Sequence, residues 1–476
     1  MNGFGVPAIS LFAKTCGKGG TPMAKRNLPD PFEIDKLRFR DCFTAPSLRH
    51  FVVLMTGWVL TVGMHTISHV ILTAEAHESE HFASLYRFLS RAKWEPDRVA
   101  AEIFLVMVET LLPGVSELIL VIDDTLNNHV GRKICGAGFQ HDGSAPQGGK
   151  KIGYGVCFVV IGLAVRLPGI SDRVFCLPYA ARLWWPKNSR IKPQGFPYKT
   201  KPELALGLIR LTRSWVSGDI MLRVVVDGGY SNGTLVRNRP ANVHITGKVR
   251  KDAVLYAPVV PHNGSARRGR PRKKGIELPK PTQMFTYTLT DWDAVLIELY
   301  GKETVLLVRQ FHAIWYRVGG NEVLSIVLVR DPDGDYPDAV LFDTDINATD
   351  EQTVDRFSNR WSIEISNREI KHLLGSADPQ CRCEKSVSRA PLMAYWSYCL
   401  VVLWFVDQLK KGKDFHFRRA PWYPKKNITF SDMLAAARRS HLSQGILVER
   451  GVMQEKPKFT FARFPRRPDC RERAKL

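Results

Sequence analysis

Acidic residues are the scarcer charge in this chain: 46 Asp and Glu stand against 68 Lys and Arg over 476 residues, a formal net charge of +22. Such an excess repels itself unless a polyanion shares the surface, which favours nucleic acid over an acidic membrane as the partner. Cysteine is thin as well. Nine thiols at irregular spacing argue against a disulfide framework, and Cys381-Arg382-Cys383 has no second pair with which to complete a zinc site. A reducing cytoplasm is the expected compartment. Uninterrupted apolar runs are also missing. Phe51 to Ala74 comes nearest to a membrane span, but His65, Ser68, His69 and several threonines break it. Polar groups in lipid need partners, so this stretch is expected to form one or two buried helices and no membrane contact. Lys14 and Lys18 precede no continuous apolar core with a small-residue cleavage site, so no signal peptide is expected. With 45% hydrophobic residues, disorder throughout is excluded, and the length allows two or three domains.

Residues 1–45 are rich in Gly, Pro and Lys without sustained periodicity and are expected to be a flexible arm. Residues 46–115 read as helices: Leu85, Phe88 and Leu89 recur at helical spacing, and Pro96 opens a new helix after Trp94. Their basic side makes them a candidate DNA-binding domain, though solvated charges on a scaffold would look the same. Leu118 to Ile122 is a short β-branched run, expected as a buried strand that ends in Asp123-Asp124-Thr125. Strands are expected near Gly153 to Leu167 and Arg173 to Pro178, and a helix over Pro202 to Trp215. Met221 to Val226 then repeats the first theme, a β-branched run ending in Asp227-Gly228-Gly229. Acids at the ends of buried strands lie where α/β proteins build sites, although one such acid can simply cap a turn.

Residues 246–345 interrupt this pattern with further strands, among them Thr304 to Val308 and Val323 to Val329. They also hold the run Arg267-Arg268-Gly269-Arg270-Pro271-Arg272-Lys273-Lys274, an exposed loop whose Arg268, Arg270 and Arg272 resemble the extended arginines of an AT-hook. Residues 346–445 return to helix, and 446–476 form a basic tail.

The stretch Asp355 to Leu374 is predicted to be one helix. Thr349 and Gln352 stand at capping-box spacing and Gly375 offers the stop. At about 100° per residue, Arg360, Glu364 and Lys371 share a face with Phe357 on its flank, while Ile363, Ile370 and Leu374 form a separate apolar stripe. An incidental ion pair on a solvated helix would give the same pattern. Asp123 or Asp124, Asp227 and Glu364 are the acids that strand ends and a helix face would bring to one cleft. Such carboxylates suit Mg²⁺ or Mn²⁺, and a pair of ions would stabilise the attacking and leaving oxygens of phosphodiester cleavage. Arg360 and Lys371 would hold phosphates beside them.

These residues resemble those of a DDE transposase of the bacterial insertion-sequence type, in the branch whose third acid lies in a signature of Tyr, two residues, Arg, three residues, Glu, six residues, Lys. Phe357, Arg360, Glu364 and Lys371 stand at those spacings. The resemblance covers roughly residues 50–440. It implies an α/β fold: an RNase H-like catalytic core over 116–245 and 346–445, interrupted by a β-rich insertion over 246–345, with an N-terminal helical domain. It also implies Asp123, Asp227 and Glu364 as catalytic metal ligands, Mg²⁺ or Mn²⁺ as cofactor, and binding to terminal inverted repeats followed by strand cleavage and strand transfer. A homodimer in a synaptic complex and a nucleoid-associated place in a bacterial cytoplasm accord with it. Members of the branch resemble one another in excising through a hairpin, with an insertion-domain Trp stacked on a displaced base; Trp292 and Trp315 are the candidates here, or core residues.

Two positions depart from the pattern. Phe357 replaces the Tyr and so lacks the phenolic hydroxyl. The doublet leaves two candidates for the first ligand: Asp123 matches the family spacing of Asp two residues before Thr, and Asp124 is the alternative. The rival readings are an RNase H-like nuclease without strand transfer and a catalytically inactive DNA-binding protein.

Overall fold

The computed structural model describes residues 38–76, 80–143, 151–195, 197–259, 272–286, 292–299, 302–415, 417, 422 and 425–450. The chain opens with four helices, α1 (Ala45–Leu60), α2 (Ile67–Thr73), α3 (Phe82–Ser90) and α4 (Pro96–Leu111). Phe51 to Ala74 thus divides into two helices, α1 ending at Leu60 and the chain turning at Gly63, whose φ of +87° suits a residue without Cβ. Of the polar groups that broke the apolar run, Ser68 and His69 are exposed, and buried His65 is satisfied internally, both ring nitrogens facing carbonyls, of Gly63 at 2.9 Å and Trp58 at 3.1 Å.

The strands follow as β1 (Glu117–Asn128), β2 (Gly138–His141), β3 (Ile152–Leu167) and β4 (Ser171–Trp184), then α5 (Lys201–Arg213), β5 (Met221–Val226), the short α6 (Gly233–Arg237) and β6 (Val243–Lys248). Strands β4, β3 and β1 pair antiparallel in that order, and β1, β5 and β6 run parallel. Three antiparallel strands continued by two parallel ones accord with the RNase H-like expectation. Strand β4 runs past the predicted stop at Pro178. The imide, which cannot donate, sits at a bulge where Ile161 pairs Ala180 but Gly162 pairs Pro178, so the ladder resumes beyond it.

After α7 (Pro281–Met284) come β7 (Asp293–Leu299), β8 (Lys302–Ile314), α8 (Tyr316–Gly319), β9 (Val323–Arg330) and β10 (Ala339–Asp343). These four strands form a meander that joins the core sheet edge to edge, because β10 pairs antiparallel with β6. The result is one ten-stranded sheet among the described residues. The chain closes with α9 (Asp350–Ser358), α10 (Trp361–Leu373), α11 (Glu384–Lys410) and α12 (Phe430–Arg450).

Helix α11 begins seven residues before the predicted start at Pro391 and is long and apolar enough to cross a membrane, but most of it is buried inside the protein. The N-terminal helices share its core. Trp396 of α11 meets Phe51 and Trp94, each with ring centres 6.1 Å away. Buried Arg389 gives its guanidinium to the carbonyls of Phe88, Leu89, Ala92 and Trp94 at the end of α3, the usual place for a cation among orphan carbonyls.

Candidate active site

Strand β1 positions the first acids by alternation. Its parallel pairing with β5 ends at Ile122 opposite Val226, whereas its antiparallel pairing with β3 continues to Asn128. The strand therefore does not end at the acids, as its composition predicted. The Asp123-Asp124 doublet lies where one neighbour has departed and the other remains. Successive side chains of a strand point to opposite faces, and the doublet divides accordingly. Asp124 turns to α5: its carboxylate accepts from Lys201 Nζ at 2.6 Å, from the Tyr230 hydroxyl at 3.1 Å and from Cys157 Sγ at 3.6 Å. Burial beside Asp124 and Asp123 holds the Tyr230 hydroxyl protonated far above its ordinary range, so it remains a donor. Asp123 turns to the other face, towards α10. Burial first, then repulsion from Asp227 and Asp124, pushes its carboxyl up to about 7.

Asp227 follows directly on β5. Its Oδ1 accepts from the amides of Gly229 at 2.8 Å and Tyr230 at 3.3 Å, so it does cap the turn after the strand, and it also lines the cleft. Gly247 on β6 lets the strands press together here, since a Cβ would stand 2.8 Å from both Phe342 and the Ser231 hydroxyl.

The third acid comes from a helix pair, not from the single helix predicted. Thr349 and Gln352 form the expected capping box of α9, and Gly375 has the left-handed φ of +54° expected of a stop. Between them the chain tightens: the amides of Asn359, Arg360, Ser362 and Ile363 each bond to the carbonyl three residues back. Side chains take carbonyls of this turn as well, with Ser358 Oγ and Asn359 Nδ2 both on Asp355 O and Ser362 Oγ on Asn359 O. Such back-bonding bends helices. Arg360 sits at this bend, and its Nη1 lies 2.5 Å from Glu364 Oε1 and 3.8 Å from Asp123 Oδ2. One guanidinium thus joins the third acid to the first.

Of the remaining predicted residues, Phe357 lines the same cleft as Asp227, Arg360 and Glu364, and the other described ones lie elsewhere. Lys371, expected beside Arg360 on the phosphates, donates instead to the Leu126 carbonyl at 2.9 Å, and burial lowers its proton affinity. Phe357 packs on a small apolar cluster with Val354, Leu341 and Leu306. Trp292 and Trp315 are core residues, the first stacked on Phe285 and the second edge-on to Phe342. Arg268 and Arg270 lie outside the described residues. Arg272 lines a separate groove with Ile314 and Val323. Among the described residues no three His, Cys, Asp or Glu side chains stand close enough to hold a metal ion.

The cleft itself, about 410 Å³, is bounded by Asp227, Arg360 and Glu364 on one side and by apolar residues of the meander such as Leu306, Val329 and Leu341 on the other. It also holds Lys248, which motif reasoning missed. A signal was present: Val243 to Lys248 is a third β-branched run ending in a charged residue at the same edge. Lys201 and Tyr230 carried no signal, because their roles depend on long-range pairing.

No curated protein matches the chain. A family described as DDE superfamily endonuclease matches residues 38–304, a stretch that contains Asp123, Asp227 and Lys248 and ends before Glu364. The match covers more than half of the chain, and the protein belongs to the DDE superfamily endonuclease family, whose activity is phosphodiester hydrolysis on DNA.

Proposed function

We propose that the protein is an insertion-sequence DNA transposase that binds the terminal inverted repeats of its element, cuts the strand at their 3′ ends and joins those ends to target DNA, with Asp123, Asp227 and Glu364 as its catalytic acids. The observation that carries the reading is the convergence of Asp123 on the Arg360–Glu364 pair, from segments more than 200 residues apart, with Arg360 and Glu364 lining one cleft with Asp227. The four-residue spacing of Phe357, Arg360, Glu364 and Lys371 supports the insertion-sequence branch, and the net charge of +22 supports a polyanionic substrate.

DDE enzymes generally use divalent metal ions, and the carboxylate oxygens of Asp123, Asp227 and Glu364 are the donor chemistry that suits Mg²⁺ or Mn²⁺, although the three do not close around one point among the described residues. Asp123 is buried next to Asp227, and burial first, then repulsion from Asp227 and Asp124, pushes its carboxyl up to about 7, a penalty on the ionised form that a bound cation offsets. Asp123 and Asp227 would hold the ion pair, with Glu364 completing the set. When bound, the ions supply Lewis-acid stabilisation of the attacking and leaving oxygens. Arg360 balances Glu364 in the DNA-free protein and is placed to exchange that carboxylate for a DNA phosphate, a partner its planar fork also fits. Asp124, neutralised by Lys201 on the opposite face, supports the sheet. The exposed Arg87, Arg91 and Lys93 of the N-terminal helical region are the cations we assign to recognition of the ends. A synaptic homodimer and a cytoplasmic, nucleoid-associated location complete the reading.

The test is a joining assay: a labelled duplex carrying the DNA that flanks the gene is incubated with a plasmid and Mg²⁺. Covalent attachment of the duplex 3′ ends to the plasmid is the expected result. Cleavage without any joined product would favour the nuclease reading, and binding without cleavage the inactive one.

A further inference from the structure

We propose that Lys248 is a substrate-binding residue that contacts a phosphodiester of the DNA, an inference that rests on the reading of the cleft as a DNA-cleavage site. Strand register places it. Ile122 pairs Val226 and Val225 pairs Thr246, so the next positions along the three parallel strands bring Asp123, Asp227 and Lys248 into one row at the edge of the sheet. Residues in matched register on parallel strands face the same side, and Lys248 lines the cleft together with Asp227, Arg360 and Glu364.

The other cations near the acids are occupied. Arg360 bridges Glu364 and Asp123, Lys371 is bound to the Leu126 carbonyl, and Lys201 is bound to Asp124 on the far face. Lys248 is exposed, and among the described residues its ammonium has no partner, although three carboxylates, Asp227, Asp331 and Glu364, line the same cleft. Its backbone, by contrast, is held against β10. Lys248 pairs with Leu341 on β10, and the Val249 amide bonds to Val340 O at 2.7 Å. A charge whose base is fixed and whose head is free is suited to meet an anion that arrives from outside. A bare surface lysine would have the same exposure but not this place in the row. As a compact point charge it suits a phosphate that needs neutralising without a bidentate fork.

The experiment compares wild type, Lys248→Ala and Lys248→Arg in three measurements. These are melting temperature, the salt dependence of binding to a short duplex in EDTA, and the kcat and KM of plasmid nicking in Mg²⁺. For Lys248→Ala the slope of log affinity against log salt is expected to fall by about one, the loss of one phosphate contact. KM should rise roughly tenfold, and the melting temperature should stay at the wild-type value. Lys248→Arg should restore slope and KM. If wild type binds and nicks DNA while Lys248→Ala matches it in slope and KM, the inference is overturned and the cleft reading stands. If wild type neither binds nor nicks DNA, the cleft reading itself is overturned.

Discussion

The Tyr230 hydroxyl donates to Asp124 Oδ1 across 3.1 Å, and in doing so ties the turn that begins at Asp227 to the strand that carries Asp123. The two acids most distant in role from any packing function are thus spaced by a hydrogen bond on the opposite face of the sheet. Lys201 completes the tie at 2.6 Å from Asp124.

Asp123 and Asp124 should therefore fail differently when each is changed to Asn. Asp124→Asn leaves Lys201 half-buried without its counter-ion and should lower stability by about 1–3 kcal/mol while retaining measurable cleavage. Asp123→Asn should abolish cleavage. Denaturant unfolding and plasmid nicking on the same samples separate the two, and an inactive Asp124→Asn with native stability would reverse the assignment.

The pH dependence of stability follows from Asp123. Its carboxyl ionises near 3.8 ordinarily and near 7 in the folded chain. Between those values the folded chain holds a proton that the unfolded chain has released, so this residue's contribution to stability falls as pH rises, and the penalty is complete above about 7. Asp123→Asn removes the penalty. In EDTA it should stabilise the protein at pH 8 by roughly 2–4 kcal/mol and change little near pH 4. Equal effects at both pH values would contradict the burial of an ionisable carboxyl at this position.

Arg360 and Lys371 are expected to part company despite their shared helix face. Lys371→Ala leaves the Leu126 carbonyl without its donor and should cost about 1–3 kcal/mol in stability. Arg360→Ala removes a partly exposed pair, worth on the order of 1 kcal/mol or less, yet should lower cleavage by far more than its effect on melting. A variant Arg360→Ala that melts early and cleaves normally would make the pair with Glu364 purely structural.

Removal of residues 1–111 should unfold the remainder and not merely erase DNA specificity. Phe51, Trp58 and Trp94 are almost wholly buried, Trp58 Nε1 donates to Leu374 O at the end of α10 at 2.8 Å, and Arg389 would lose its four carbonyls. Circular dichroism of the truncated chain showing a cooperative native-like melt would contradict this.

Local signals were legible in the sequence where one interaction decides the outcome. The β-branched run of β5, the Thr349–Gln352 capping box and the stop at Gly375 all stand as read, because each depends on neighbours a few residues away. The bend at Asn359 was not legible, since it depends on whether Ser358, Asn359 and Ser362 spend their hydrogen bonds on solvent or on backbone carbonyls. The continuation of β4 past Pro178 required a bulge against β3, and the seating of β10 beside β6 required pairing across about a hundred residues of chain. Lys371 shows the same limit within the site: helical spacing placed it on the face of Glu364, but the Leu126 carbonyl that claims it belongs to a strand 245 residues away.

The central assignment is tested most directly by nicking of a supercoiled plasmid that carries the gene with its flanking DNA, in Mg²⁺, by wild type, Asp123→Asn, Asp227→Asn and Glu364→Gln. Wild type should nick, and each variant should lose activity by on the order of 10²–10³ or more while keeping its affinity for DNA. Nicking at the wild-type rate by any one of the three variants would contradict the assignment of that acid to the catalytic site.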